Sequence, residues 1–226
     1  MTASPIIQLS EVTKTYHLES GDYTALDQVS LDIAENDFVA IMGPSGSGKS
    51  TMMNQLGILD VPTSGSVYID GKNVAAMSQL ERTHMRRDAI GYIFQKFYLI
   101  PLLSAYENVE YPLILKFKKR DTTEKAFRLL EAVGIDRSLS AHRPTQLSGG
   151  QQQRVAIARA LVNEPRIILC DEPTGNLDSR TGFQIMDILC GLHREGKTVI
   201  LVTHDEQIAA YAKRTIRLVD GRIEGS

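Results

Sequence analysis

Gly43-Pro44-Ser45-Gly46-Ser47-Gly48-Lys49-Ser50 fits the pattern G-x-x-x-x-G-K-[ST]. These residue types describe a cradle for a polyanion. Glycines let successive backbone N–H groups turn inward around phosphates, and a helix opening at Lys49 adds the positive end of its dipole. Lys49 brings a point charge to the outer phosphates. The hydroxyl of Ser50 is a ligand for Mg²⁺ carried on those phosphates, and Thr51 adds a further donor. The dinucleotide pattern G-x-G-x-x-G does not fit, because Thr51 stands where its last glycine is needed.

A metal held against phosphates needs an oxygen donor or a nearby carboxylate opposite the serine hydroxyl. Ile167-Ile168-Leu169-Cys170-Asp171-Glu172 offers it, as an apolar run that ends in two adjacent acids. Successive residues at a strand end point different ways, so one acid can hold the metal while the other addresses a water. Asp171 is the metal candidate and Glu172 the water-activating one. Leu147-Ser148-Gly149-Gly150-Gln151 is a second anion-binding pattern, with Ser148 as an N-cap, two glycines that bring N–H groups forward, and a helix behind them. Two phosphate-seeking patterns on one chain make sense together when two chains meet.

The elements that must position these groups are legible from hydrophobic pattern. Alternation in Ile6–Val12 and Ala25–Ile33 predicts two half-buried strands that pair antiparallel around a polar turn at Glu19–Asp22. Phe38–Met42 is a short buried strand that stops at Gly43, and Lys49–Leu59 is a helix. Val67–Asp70 is a strand closed by Asp70-Gly71. Ser78–Ala141 is richer in helix, with Thr122–Val133 presenting Phe127, Leu130 and Val133 on one face and stopping at Gly134. A helix over Val155–Val162 follows the glycine pair and ends before Pro165. Strands Ile167–Cys170 and Val199–Val202 then alternate with helices Thr181–Arg194 and Glu206–Lys213. Ile216–Val219, Asp220-Gly221 and Arg222–Glu224 form a hairpin. Strand–helix alternation of this kind predicts an α/β fold around a mostly parallel sheet.

Composition narrows the function classes. The chain has 226 residues, enough to bury a core without disulfide or metal. Lys and Arg number 25 against 27 Asp and Glu, a net charge of −2, which excludes a generally basic nucleic-acid coat. Cys170 and Cys190 are too few for a secreted disulfide framework and are expected as reduced core residues. Met1–Tyr16 carries Glu11 and Lys14 and holds no apolar stretch of signal-peptide length, and no run reaches the roughly 18 apolar residues of a membrane helix. His17, His84, His142 and His193 show no ligand spacing.

LSGGQ at Leu147–Gln151 resembles the signature of ATP-binding-cassette ATPases, the ABC family. With Walker A at Gly43–Thr51 and Walker B at Ile167–Glu172, motif order and spacing are similar to that family over essentially the whole chain. The resemblance implies a P-loop ATPase fold with an antiparallel β subdomain and an inserted helical subdomain. It assigns about 1–77 and 166–226 to the catalytic core and about 96–165 to the helical part. It also implies further roles. Tyr16 sits where the family stacks an aromatic ring on adenine. Gln95, after a strand at Ile90–Phe94, resembles the Q-loop glutamine that reaches Mg²⁺ and the attacking water. Asn176-Leu177-Asp178 resembles the D-loop at a dimer interface, and His204 the switch histidine at the γ-phosphate.

The apolar loop Gln95–Leu103 continuing to Glu107-Asn108-Val109, and the segment Asp171–Asp178, look like the branch serving MacB-type, lipoprotein-releasing and FtsX-like permeases. That resemblance implies an ATPase subunit that binds ATP and Mg²⁺, dimerises head to tail on ATP and drives a separate integral-membrane permease, with no nucleic-acid partner expected. It implies a cytoplasmic location, peripheral on the inner face of the cell membrane. Three alternatives stay open: the ATPase of a small-solute importer, which would be expected to carry a regulatory domain beyond the final hairpin; a non-transport ATPase of the same superfamily; and a binding module without hydrolysis, against which Glu172 and His204 speak. The cargo is not encoded in these motifs.

Overall fold

Two kinds of hydrophobic pattern build two kinds of sheet. The computed structural model describes residues 5–19, 21–118 and 123–224. The chain begins with β1 (Ile7–Leu18), β2 (Gly21–Ile33), β3 (Phe38–Met42), α1 (Lys49–Leu56), β4 (Ser64–Ile69), β5 (Lys72–Asn73), α2 (Gln79–Ala89) and β6 (Ile90–Phe94). It continues through α3 (Ala105–Phe117), α4 (Thr123–Ala132), α5 (Arg137–Ser140), α6 (Gly149–Leu161) and β7 (Ile167–Asp171). It ends with α7 (Ser179–Arg194), β8 (Thr198–Val202), α8 (Glu206–Ala209), β9 (Arg214–Val219) and β10 (Arg222–Ile223).

The short, continuously apolar strands form a six-stranded sheet in the order β10-β9-β3-β8-β7-β6, parallel throughout except for β10 on β9. They lack polar alternation because both faces are covered. Along β7, Ile167 and Leu169 enter one apolar core while Ile168 and Cys170 enter the other. Along β8, Ile200 and Val202 face the first core, and Val199 and Leu201 the second. The alternating strands β1 and β2 instead build an antiparallel sheet in the order β2-β1-β4-β5, which closes over the first core together with α1. The second core holds the packed helices α3, α4 and α6, with α7 against α6.

The structure departs from the sequence expectations at element ends. The turn expected at Glu19–Asp22 includes Ser20, and the helix start at Thr122 lies outside the described residues as well. Helix α1 stops at Leu56 rather than Leu59, because Ile58 turns left-handed at φ 57° and the N–H groups of Leu59 and Asp60 both donate to the Asn54 carbonyl; Gly57, its capping residue, packs against the Tyr92 ring, where a β-carbon would collide with the hydroxyl. Helix α8 ends at Ala209 rather than Lys213; the Lys213 N–H already donates to the carbonyl of Phe38 at 2.8 Å, feeding the chain into β9. The strand expected at Ile90–Phe94 forms as β6 with those bounds, inside the otherwise helix-rich stretch 78–141, and its residues pair in register with β7. Leu130 and Val133 are buried as expected, while Phe127 is half-buried and stacks on Tyr106 with ring centroids 4.6 Å apart. Cys170 is buried, and Cys190 is half-buried. Among the described residues no helix is long and apolar enough to cross a membrane.

Candidate functional site

Strand register decides which loops meet. Phe94, Asp171 and Val202 are direct partners across β6, β7 and β8, and Val202 pairs with Ile41 of β3. The residues that follow each strand therefore emerge at one level, at the carboxyl ends of parallel strands, where α/β sheets bind ligands. Those residues are Gln95, Glu172, His204 and the loop beginning at Gly43.

The loop from Gly43 to Gly48 connects β3 directly to α1, so the N–H groups of the first helical turn open toward it. Gly48 lies at φ 102°, and a β-carbon there would stand 2.3 Å from the carbonyl of Ala25. A recess of about 170 Å³ beside the loop is lined by Tyr23, Gly46, Gly48, Lys49, Ser50 and Thr51. The Lys49 ammonium folds back to donate to the carbonyls of Gly43 and Pro44, both at 2.8 Å. Ser45, Gly46 and Ser50 are exposed at the loop surface, whereas Ser47 is buried and its hydroxyl has no hydrogen-bond partner among the described residues. The expectation for Ser47 thus narrows to its backbone.

At the end of β7 the backbone changes hand. Glu172 sits at φ 45°, a left-handed conformation rare for a side chain of this size, fixed by bonds from its N–H to Val202 and from the Gly175 N–H to its carbonyl. This swings the Glu172 carboxylate off the line of Asp171 and onto the Nδ1 of His204, 2.9 Å away. Burial, then the neighbouring Glu172 carboxylate, raises the carboxyl of Asp171 above its ordinary value, against the opposing pull of Lys49. Gln95 lies against Gly175, and its carbonyl accepts a bond from Asn176 Nδ2 at 3.0 Å. The Q-loop and D-loop candidates are therefore joined in the single chain.

Ser148 caps α6: its Oγ accepts from the Gln151 N–H at 3.3 Å, and Gln151 Oε1 accepts from the Ser148 N–H at 2.8 Å. The Gln151 amide oxygen is engaged in this reciprocal cap, while the Ser148 hydroxyl keeps its own proton to donate. Gly150 is pressed against Thr181, where a β-carbon would fall 2.4 Å from the methyl group. Asp178 caps α7, and hydrogen bonds from Thr181 hold its carboxyl below the usual range. None of Ser148, Gly149, Gly150, Gln151 or Asp178 lines the recess beside Lys49. Within one chain, the two anion-seeking patterns stay apart.

Tyr16 sits on β1 with its hydroxyl donating to Asp60 at 3.3 Å and with the Lys14 ammonium over its ring. Directly across the strand pair stands Tyr23, whose hydroxyl donates to the carbonyl of Gly46 at 3.1 Å. Sequence reasoning missed Tyr23, although its place opposite Tyr16 follows once the hairpin register is set. It also missed Gln153. This residue is fully buried on α6 and donates to the carbonyls of Pro173 at 2.7 Å and Phe94 at 3.3 Å, bridging the ends of β7 and β6. Its spacing from Gly149 and Ile157, four residues each way, already put it on the buried stripe.

Comparison with known proteins supports this geometry. The profile of the ABC transporter family matches residues 26–175. The chain is 52% identical over 224 residues to an uncharacterized ABC transporter ATP-binding protein, MJ0796, of Methanocaldococcus jannaschii, covering 97% of this chain and 95% of that one. It is 50% identical over 219 residues to the macrolide export ATP-binding/permease protein MacB of Escherichia coli, covering 96% of this chain but 34% of MacB. Among solved structures, a dimer of the MJ0796 cassette in a post-hydrolysis state bound to ADP and Pi superimposes with a TM-score of 0.89 at 51% identity, covering 96% of both chains.

Proposed function

The chain belongs to the ABC transporter family, and from that premise we propose that it is the ATP-hydrolysing subunit that drives a separate membrane permease of the export type. It is an ATP-binding cassette, and cassettes of this family hydrolyse ATP. The observation that carries hydrolysis is the placement of Glu172: a left-handed backbone aims its carboxylate at His204, on the level of the phosphate loop.

In this reading the loop N–H groups from Gly43, Ser45, Gly46, Ser47 and Gly48, with Lys49 and Thr51, hold the triphosphate. Lys49 exchanges the carbonyls of Gly43 and Pro44 for phosphate oxygens. Ser50, Gln95 and Asp171 form a set of hard oxygen donors that suits Mg²⁺, which when bound neutralises charge on the β- and γ-phosphates. Glu172 accepts the proton of the attacking water as its oxygen bonds to the γ-phosphorus. The bond from that phosphorus to the bridging oxygen breaks, leaving ADP and inorganic phosphate. His204 orients Glu172 and reaches the γ-phosphate. Tyr16 stacks on adenine, beside Tyr23 on the same strand pair.

The site is completed by a second copy. The exposed Ser148 and the N–H groups of Gly149 and Gly150 face the γ-phosphate bound by the partner chain, with Gln151 setting the cap and Asp178 lying at the interface. The homologous cassette solved as a dimer supports this arrangement. The same reading keeps 1–77 and 166–226 as catalytic core and 96–165 as helical subdomain, supported by the mutual packing of α3, α4 and α6. The fused permease of MacB supports a membrane partner for this chain, which would hold it at the inner face of the membrane.

One variant tests the reading. Glu172→Gln keeps shape and loses the charge, so Mg²⁺-dependent turnover falls by about 10²–10⁴ while ATP still binds. Light scattering of the same variant gives a dimer with ATP and a monomer without it. Parent-like hydrolysis by Glu172→Gln, or a monomer at saturating ATP, would overturn it.

A further inference from the structure

The turn between β9 and β10 touches the phosphate loop. The N–H of Gly221 donates to the carbonyl of Ser47 at 3.0 Å, while its own carbonyl accepts from the Asp27 N–H at 2.9 Å. One residue of the C-terminal hairpin thus links the phosphate loop to β2. Arg222 reinforces the link with two donors on Asp27 Oδ2, at 3.0 and 2.6 Å. The neighbouring strand completes the wall. A β-carbon on Gly43 would stand 2.1 Å from the carbonyl of Leu218 in β9, and one on Gly48 presses on Ala25 of β2.

We infer that Gly221 is a positioning residue for nucleotide binding: the hairpin turn sets the curvature of the phosphate loop by holding the Ser47 carbonyl outward. This inference rests on the assignment of that loop to ATP. The Ser47 peptide has a specific need for such a hold. Its N–H reaches only the Pro44 carbonyl at 3.3 Å, and its side chain is buried with a hydroxyl that has no hydrogen-bond partner among the described residues, so side-chain bonding does not fix its orientation. With the carbonyl anchored away from the recess, the peptide N–H groups of the loop are left to converge on the anion. Only glycine serves at 221. Its φ is +76°, and a β-carbon would approach the Ala25 carbonyl to 2.9 Å.

The fold supplies its own control. Asp70-Gly71 is a second hairpin turn with nearly the same backbone, φ 50° and 72°, against 47° and 76° at Asp220-Gly221. A β-carbon on Gly71 meets nothing within 4 Å. Replacing either glycine by alanine imposes the same left-handed penalty on a turn, but only one of them holds the phosphate loop.

The test titrates parent, Gly221→Ala and Gly71→Ala with a fluorescent ATP analogue, alongside urea unfolding. Both variants should lower the urea midpoint. The ATP dissociation constant should rise at least about tenfold in Gly221→Ala and stay at the parent value in Gly71→Ala, since small misplacements of a binding loop cost alignment. Arg222→Leu, at an exposed position, should raise it about two- to threefold without unfolding the chain, as loss of a single exposed ion pair costs little stability. Parent-like affinity in both Gly221→Ala and Arg222→Leu overturns the inference; if Gly221→Ala fails to fold, parent-like affinity in Arg222→Leu overturns it alone. A parent that does not bind the analogue overturns the ATP assignment itself, a separate and visible outcome.

Discussion

Gln153 donates from its buried amide to the carbonyl of Pro173 at 2.7 Å, the residue after Glu172, and reaches the carbonyl of Phe94, the residue before Gln95, at 3.3 Å. One side chain on the signature helix therefore braces the backbone of both catalytic-loop candidates. Ser148–Gly150 lie at the head of the same helix.

Gln153→Met fills the same space but cannot donate. It leaves the Pro173 carbonyl without its partner, at a cost of about 1–3 kcal/mol in stability. The expected result is a several-fold fall in kcat with the ATP dissociation constant unchanged, because Gln153 does not line the recess beside Lys49. Steady-state ATPase assays with separate nucleotide titration check this; equal kcat at reduced stability would mark Gln153 as packing alone.

The loop after Gln95 presents apolar side chains on a fixed backbone. Arg159 donates to the carbonyls of Phe97 and Tyr98, and Asn108 binds the N–H and carbonyl of Ile100 and the carbonyls of Leu103 and Ser104. Tyr98 is 64% and Leu102 77% exposed, while Phe97, Leu99 and Leu103 are half-buried. The apolar cluster thus divides into anchors and an exposed set, and the prediction is that a permease segment docks on the exposed set. Leu102→Asp and Tyr98→Asp should preserve ATP binding and the circular dichroism spectrum but abolish co-purification with the membrane subunit. Leu99, packed against the second core, belongs to the fold and is the wrong site for that test. Undiminished association in both aspartate variants would remove the loop from the docking surface.

Asp88 at the end of α2 accepts from Arg87 and pairs with Lys116 of α3 at 2.8 Å, joining the sheet-associated helix to the helical layer. The Arg87 hydrogen bonds, opposed by partial burial and helped by Lys116, hold its carboxyl down at about 2. A lowered folded-state value means stability that is complete above the ordinary carboxylate range near pH ~4 and lost as pH falls toward the folded value. The pair is partly exposed, so the contribution is below about 1 kcal/mol. Urea midpoints of parent and Asp88→Asn should differ at about pH 5 and converge near about pH 2. An unchanged difference across that window would assign the effect to the amide rather than to charge.

Sequence alone indicated the strand–loop–helix that starts at Phe38, though not where its helix ends, the acidic end of β7, and the cap at Ser148. Each of these depends on residues within a few positions of one another, where backbone reach and hydrogen-bonding capacity are local properties. It also indicated which strands are buried, because continuous apolar runs and alternating ones differ at that same short range. It did not show that β6, though preceded by a helix in a helix-rich stretch, is the edge of the central sheet. Nor did it show that Tyr23 touches the phosphate loop, that Gln153 bridges Phe94 and Pro173, or that Gly221 holds Ser47. Those contacts join segments far apart in the chain, and strand order and register determine them. Hydrophobic periodicity tells which face of an element is covered, not which element covers it. Only when the parallel strands are laid side by side, with Phe94, Asp171 and Val202 at one level, do the groups they carry become a single site.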